Sequence, residues 1–251
     1  MNTQKNNARM LMAACTLALV SASGLAAAQD APATTPAAVA KPAGASREEA
    51  AAARHVGDAV TVAQRMLQEP RMKQLLQQAK GIFIVPTYGR AALGIGASGG
   101  AGVLLVKRAD GTWSDPAFYN IGGISAGAQV GAEGGAIAMV LNNEKAINKF
   151  MQKNAFSLNA AAGLTLVNWS KIAQGSLGDG DVVAWAGTKG LYGNLVAVGV
   201  GDVRYNQKLT DAYYHQTVSA ADAVAGKYSN PQADTLKQAL AAGPAAAPAA
   251  R

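Results

Sequence analysis

Two segments of the sequence have the spacing of a serine nucleophile. Residues 96–100 read GASGG and residues 123–127 read GISAG, and both fit G-x-S-x-G, in which the serine sits on a strained turn from a strand into a helix. Ser98 or Ser125 would then act with His215 and with Asp181 or Asp202, which follow in a usable order. The surroundings oppose this chemistry, because neither serine leads into a helical pattern. The overlapping run 94–99, GIGASG, fits the G-x-G-x-x-G of dinucleotide sites, where pyrophosphate rests on a helix N-terminus. Here the run leads into the strand-like VLLV of 103–106, so the helix dipole is missing and nucleotide binding is not expected.

Metal chemistry is no better supplied. His55 and His215 are the only histidines, and no H-x-x-x-H or H-E-x-x-H spacing brings ligands together. Residues 178–181, GDGD, offer two carboxylates to calcium without the rest of a binding loop, and read as a turn. Cys15 is the only cysteine. No metal and no cofactor is expected.

What remains is charge. The formal net charge is +7, part of it in residues 1–28, and a basic excess suits anionic lipid, nucleic acid or another acidic polymer. Lys107 and Arg108 directly precede the turn 113–119, WSDPAFY, in which Trp113 and Phe118 either sit at headgroup level beside these cations or plug the end of a core.

The elements that must position these residues centre on 80–142, where glycine, small and β-branched residues concentrate. The runs 82–85, 103–106 and 136–141 predict short, curled, antiparallel strands, with glycines where strands bend or approach closely. Further strands are expected at 158–167, 182–185 and 195–200, divided by the turn-rich 175–181. Ser46 and Glu49 form a capping box before an alanine-rich helix with Val56, Val60 and Ala63 on one side. A second helix is predicted from Pro70 to Ala79, with Met72, Leu75, Leu76 and Ala79 on one face. It packs on the sheet in preference to lying in a membrane interface, which would need a wider apolar face. A middle helix over 142–156 carries Ile147, Phe150 and Met151; residues 219–225 return across the sheet; a last helix runs from Asn230 to about Leu240. The fold class is α+β, a curled antiparallel sheet or barrel-like core flanked by helices.

The ordered set of motifs resembles the SYLF domain family. It comprises 79–82 (AKGI), Gly94 and Gly96, Gly99, Gly100 and Gly102, 113–118 (WSDPAF), Gly122 and Gly123, 127–132 (GAQVGA), 189–193 (KGLYG), Asn206, Tyr213 and Tyr214, and spans about 70–224. The resemblance implies a non-enzymatic lipid-binding domain, with phosphoinositide and actin binding among eukaryotic members.

Residues 1–28 have a basic start to Arg9, an apolar run over 10–20 and Ala26, Ala27 and Ala28 ahead of Gln29, the layout of a cleaved secretory signal. Too few apolar residues precede Cys15 for a lipoprotein signal, so a lipid anchor there is the lesser reading. Residues 29–45 read as a disordered Ala/Pro-rich spacer, 46–240 as one SYLF-like domain and 241–251 as a disordered tail. The expected location is the periplasm, with peripheral membrane association.

The expected partner is an anionic phospholipid surface, met by Arg71, Lys73, Lys80, Arg90, Lys107, Arg108 and Trp113. Each basic group near such a surface contributes ~1 kcal/mol, reversibly and in a salt-sensitive way. The alternative is an envelope protein that binds a protein partner through a sheet edge or glycine-rich face, and a serine hydrolase is third. Export argues against nucleic acid, and against actin or phosphoinositides as natural ligands.

Overall fold

The computed structural model describes residues 43–152, 155–158, 163–170, 180–188 and 200–242. All lie in one compact unit, Lys41–Arg251. The signal, Cys15, most of the spacer and the tail from 243 fall outside the described residues, as do 189–193 and most of the strand expected at 195–200.

The glycine-rich centre forms two long strands, β1 (Gly81–Val106) and β2 (Ala117–Leu141), antiparallel from Gly81 opposite Leu141 to Leu104 opposite Ala117. The short runs expected at 82–85, 103–106 and 136–141 are the ends of these strands. Between them alanine faces alanine and glycine faces glycine, as at Ala91 with Ala132 and Gly99 with Gly122. The pairing carries through this stretch with two irregularities in register, between Val85 and Tyr88 and between Leu93 and Ile95.

Both strands bend midway, and the first half of β1 returns against its second half. The Lys107 N–H donates to the Lys80 carbonyl at 2.8 Å, and a Cβ on Gly102 would collide with the Ile84 carbonyl oxygen. Only glycine admits that approach.

β3 (Phe156–Leu158), β4 (Leu166–Asn168), β5 (Val182–Ala186) and β6 (Val200–Tyr205) complete the sheet, in the order β3-β6-β2-β5-β4 with β1 on β2. β6 pairs with β2 near Tyr119 and β5 pairs with it near Val140, at opposite ends. With the halves of β1 and β2 counted separately, eight segments curl into half a barrel. β4 and β5 are parallel, so the sheet is mixed where antiparallel pairing alone was expected. Residues 169–181 between them give the long connection that parallel pairing needs.

The helices are α1 (Ala43–Met66), α2 (Met72–Gln78), α3 (Glu144–Phe150), α4 (Gln207–Tyr214), α5 (Ala220–Ala225) and α6 (Asp234–Ala242), the last led by a 3-10 turn at Pro231–Ala233. α1 runs through Ser46 instead of starting there, since the alanine-rich stretch carries the helix back across Gly44 to the residue after Pro42. α2 starts two residues after Pro70 because Arg71 takes a left-handed conformation, φ 66°. α3 stops at Phe150; Phe156 joins β3, and the two rings meet edge to face with centroids 5.0 Å apart. Residues 220–225 form a capped helical turn, with Ser219 accepting the Asp222 N–H.

Candidate functional site

The apolar face of α2 is buried as its spacing predicts, through Met72, Leu75, Leu76 and Ala79, which leaves Lys73, Gln74, Gln77 and Gln78 exposed. Beneath its C-terminal end passes the β1–β2 turn. Asp110 Oδ1 accepts the Thr112 N–H and hydroxyl at 2.9 and 2.6 Å, and Gly111 turns with φ 81°. The Val106 N–H donates to Ser114 Oγ, and the Ser114 N–H returns to the Val106 carbonyl. This tight reversal aims Trp113 inward, where it is 4% exposed. Trp113 and Phe118 therefore plug the core.

Above Trp113 lies a groove of about 330 Å³. Its walls come from Leu67 after α1, Lys73, Leu76 and Gln77 of α2, Lys107, Gly111 and Trp113 of the turn, and Leu240 and Ala241 of α6. The floor is apolar and buried, formed by Leu67, Leu76, Trp113 and Leu240. Two of the nine lining residues are lysines and none is acidic. Lys73 is exposed at the rim and makes no ion pair among the described residues.

Lys107 is differently placed. Its Nζ donates to the Leu76 and Gln77 carbonyls at 2.6 and 3.0 Å, where α2 leaves acceptors without intrahelical donors, and stands 5.0 Å from the Trp113 ring centroid. Burial, then the neighbouring Lys80 ammonium, pulls its pKa below the ordinary lysine range. A cation so held is part of the groove wall as much as a surface charge.

The expected site residues thus divide. Lys73, Lys107 and Trp113 share the groove, Lys80 is exposed close enough to act on Lys107, and Arg71 is exposed at the entry to α2. Arg108 turns away toward the buried Asp115, Nη2 to Oδ2 3.8 Å, and its guanidinium covers Gly226. Arg90 lies out along the ribbon, opposite Glu133. Sequence reasoning missed Leu240 and Ala241, which close the groove from a helix more than 120 residues after the turn and carry no local signal.

Among the described residues the enzyme alternatives find no assembled site. Ser98 lies within β1 and donates to the Gly123 carbonyl at 3.5 Å, with no turn into a helix; the glycines of 94–99 are in the same strand. The side chain of Ser125 is outside what the structure describes. His215 caps α4 and meets Glu49 of α1 at 3.5 Å, while Asp202 faces Arg204. Asp181 receives the Thr165 N–H at 2.7 Å, Asn143 Nδ2 at 2.7 Å and Lys145 Nζ at 3.1 Å, so donors already occupy the oxygens that a calcium turn would use. Among the described residues no three His, Cys, Asp or Glu side chains cluster as metal ligands. No described helix is long and apolar enough to cross a membrane.

Residues 122–243 match the Ysc84 family, described as "Las17-binding protein actin regulator". The chain is similar to SH3 domain-containing YSC84-like protein 1 of Bos taurus, 25% identical over 171 residues, which cover 66% of this chain and 49% of that protein. It is 28% identical to Protein YSC84 of Saccharomyces cerevisiae over 130 residues, 50% of this chain and 28% of the relative. LAS seventeen-binding protein 3 of the same yeast is 24% identical over 164 residues, 63% and 35% of the two chains. The chain therefore spans half or less of the length of these relatives, and none of the three has an enzyme's name. No solved structure matches.

Proposed function

Because the chain carries a domain of the SYLF (Ysc84) family, we propose that it is an exported binding module, without catalytic chemistry, that associates with anionic lipid. One observation carries this reading: the groove between α2 and α6 sets two lysines and no acid around an apolar floor, and Lys73 is exposed without an ion-pair partner. Charge brings the surface in, with Lys80 and Arg71 adding to the same end of the fold, and the attraction weakens as salt shortens the screening length.

Co-sedimentation of the chain lacking residues 1–28 with neutral and anionic vesicles, at low and high salt, tests it. Pelleting with anionic vesicles only, lost in high salt and reduced by Lys73→Glu, is expected. Equal pelleting with neutral vesicles, or none with any, sinks the reading. Sequencing the N-terminus of the exported product checks cleavage before Gln29.

A second reading has its own observation. Leu93, Ile95 and Ile124 are 79%, 72% and 86% exposed along the glycine-rich ribbon. Exposed apolar side chains grouped in this way suit a protein partner, and the description of the matching family includes Las17 binding. Capture of a partner that survives high salt and is lost in Ile124→Ser favours this reading over lipid.

A further inference from the structure

The size and lining of the groove narrow the ligand further than an anionic surface does. Its volume, about 330 Å³, is at the small end of small-molecule sites. Water occupies roughly 30 Å³ in the liquid and a methylene is of similar size, so the groove has room for about ten methylenes. One hydrocarbon chain fills it, and the two chains of a phospholipid do not fit.

Polarity runs from floor to rim. Leu67, Leu76, Trp113 and Leu240 make the bottom apolar, whereas Lys73 and Gln77 are exposed at the edge. A ligand that satisfies both parts has an apolar chain ending in a small anionic head. Lys73 supplies an ammonium and Gln77 an amide donor, enough for one carboxylate, and the lining offers no arginine fork of the kind that grips phosphate. Lys107 holds the deeper wall, already engaged by the α2 carbonyls and the Trp113 ring. Among the described residues none that lines the groove is acidic, and its two lysines repel a cationic amphiphile.

We infer that this groove binds a single medium-chain fatty acid, its chain on the Trp113 floor and its carboxylate at the Lys73 ammonium. The inference deepens the anionic-lipid reading and rests on it for the sign of the head group.

Calorimetric titration of the chain lacking residues 1–28 with monomeric octanoate, decanoate, dodecanoate and tetradecanoate tests the fit. Burial of each added methylene strengthens binding by about fourfold, so affinity should climb with length and level off once about ten methylenes are seated. A brominated fatty acid should quench the Trp113 emission, and Trp113→Phe should remove that component of the quenching. Ala241 is exposed at the end of α6, so Ala241→Trp fills the groove from its rim without entering the core, and should weaken decanoate at least tenfold. Dodecylamine should not compete.

Affinity independent of chain length, unchanged binding by Ala241→Trp, or a clear preference for dodecyl phosphate overturns the inference. Vesicle binding without fatty-acid binding overturns it too, and leaves the anionic-surface reading standing. Fatty-acid binding without vesicle binding supports the groove and removes the peripheral-membrane reading.

Discussion

The Lys107 ammonium stands 5.0 Å from the centroid of the Trp113 ring while donating to the last carbonyls of α2, at Leu76 and Gln77. Two neighbours in one turn thereby fasten a helix that lies thirty residues earlier. Charged hydrogen bonds contribute about 1.5–3 kcal/mol each, and a partly exposed cation over an aromatic ring roughly 0.5–1 kcal/mol. Lys107→Met keeps the stem and loses these contacts, although water can reach the freed carbonyls, so a destabilisation of about 2 kcal/mol is expected in urea unfolding. Lys73→Glu, on the exposed face of α2, should stay within about 0.5 kcal/mol. Charge reversal at Lys73 consequently reads surface binding cleanly, whereas reversal at Lys107 mixes binding with folding. Equal stability of Lys107→Met and the parent would show that the cap contributes nothing.

The fold of β1 on itself makes a second prediction. A Cβ at Gly102 would strike the Ile84 carbonyl and the Val85 side chain, and backbone cannot move aside as a flexible side chain can. Gly102→Ala should cost about 3 kcal/mol, the upper end for an overpacked interior. Gly89, in the same strand, has nothing within 4 Å of its Cβ position. Gly89→Ala should change stability by no more than about 0.5 kcal/mol. Matching denaturation midpoints for the two variants would mean that the halves of β1 are not in contact.

This folded ribbon also marks where the sequence stopped being legible. The glycine and β-branched composition of 80–142 announces sheet, and the spacing of Met72, Leu75, Leu76 and Ala79 gives the buried face of α2, because both are local patterns. That Gly102 meets Ile84, or that Lys107 caps α2, depends on contacts between segments whose separation no periodicity records. The groove illustrates both cases. Lys73, Lys107 and Trp113 stand out by residue type, whereas Leu240 and Ala241 are ordinary members of a terminal helix until the chain brings them back. The parallel pairing of β4 with β5 was hidden for a related reason: three-residue strands such as Leu166–Asn168 are too short to state a period.

Asp115 supports the other side of the turn. It is 2% exposed, pairs with Lys237 at 3.3 Å and Arg108 at 3.8 Å, and accepts the Asn230 N–H at 3.1 Å. One carboxylate thus ties the β1–β2 turn to the approach and body of α6. Removing one partner of a buried pair costs about 3–5 kcal/mol when the other charge stays buried. Lys237 and Arg108 are each partly exposed and can turn to water, so Asp115→Ala should cost about 3 kcal/mol, at the low end. Hydrogen exchange should speed up most in α6, and the groove wall at Leu240 should loosen with it. Uniform acceleration across the sheet instead would show that Asp115 stabilises the core without a specific hold on α6.

Asp181 sets a pH dependence whose sign follows from its donors. The Thr165 N–H, ahead of Asn143 and Lys145, holds its carboxyl below the usual carboxylate range, against a smaller opposing effect of burial. The folded chain therefore binds this proton less readily than the unfolded chain, whose aspartates titrate near ~3.9. The stabilisation is fully present above that value and is lost as pH falls through the lower folded pKa. Urea midpoints measured from neutral pH down through this window should fall for the parent, and less steeply for Asp181→Ala, which starts lower at neutral pH. The difference between the two should shrink as acid is added, because both then lack the charged acceptor that joins α3, β5 and Thr165. Parallel curves would show that protonation of Asp181 is not linked to folding.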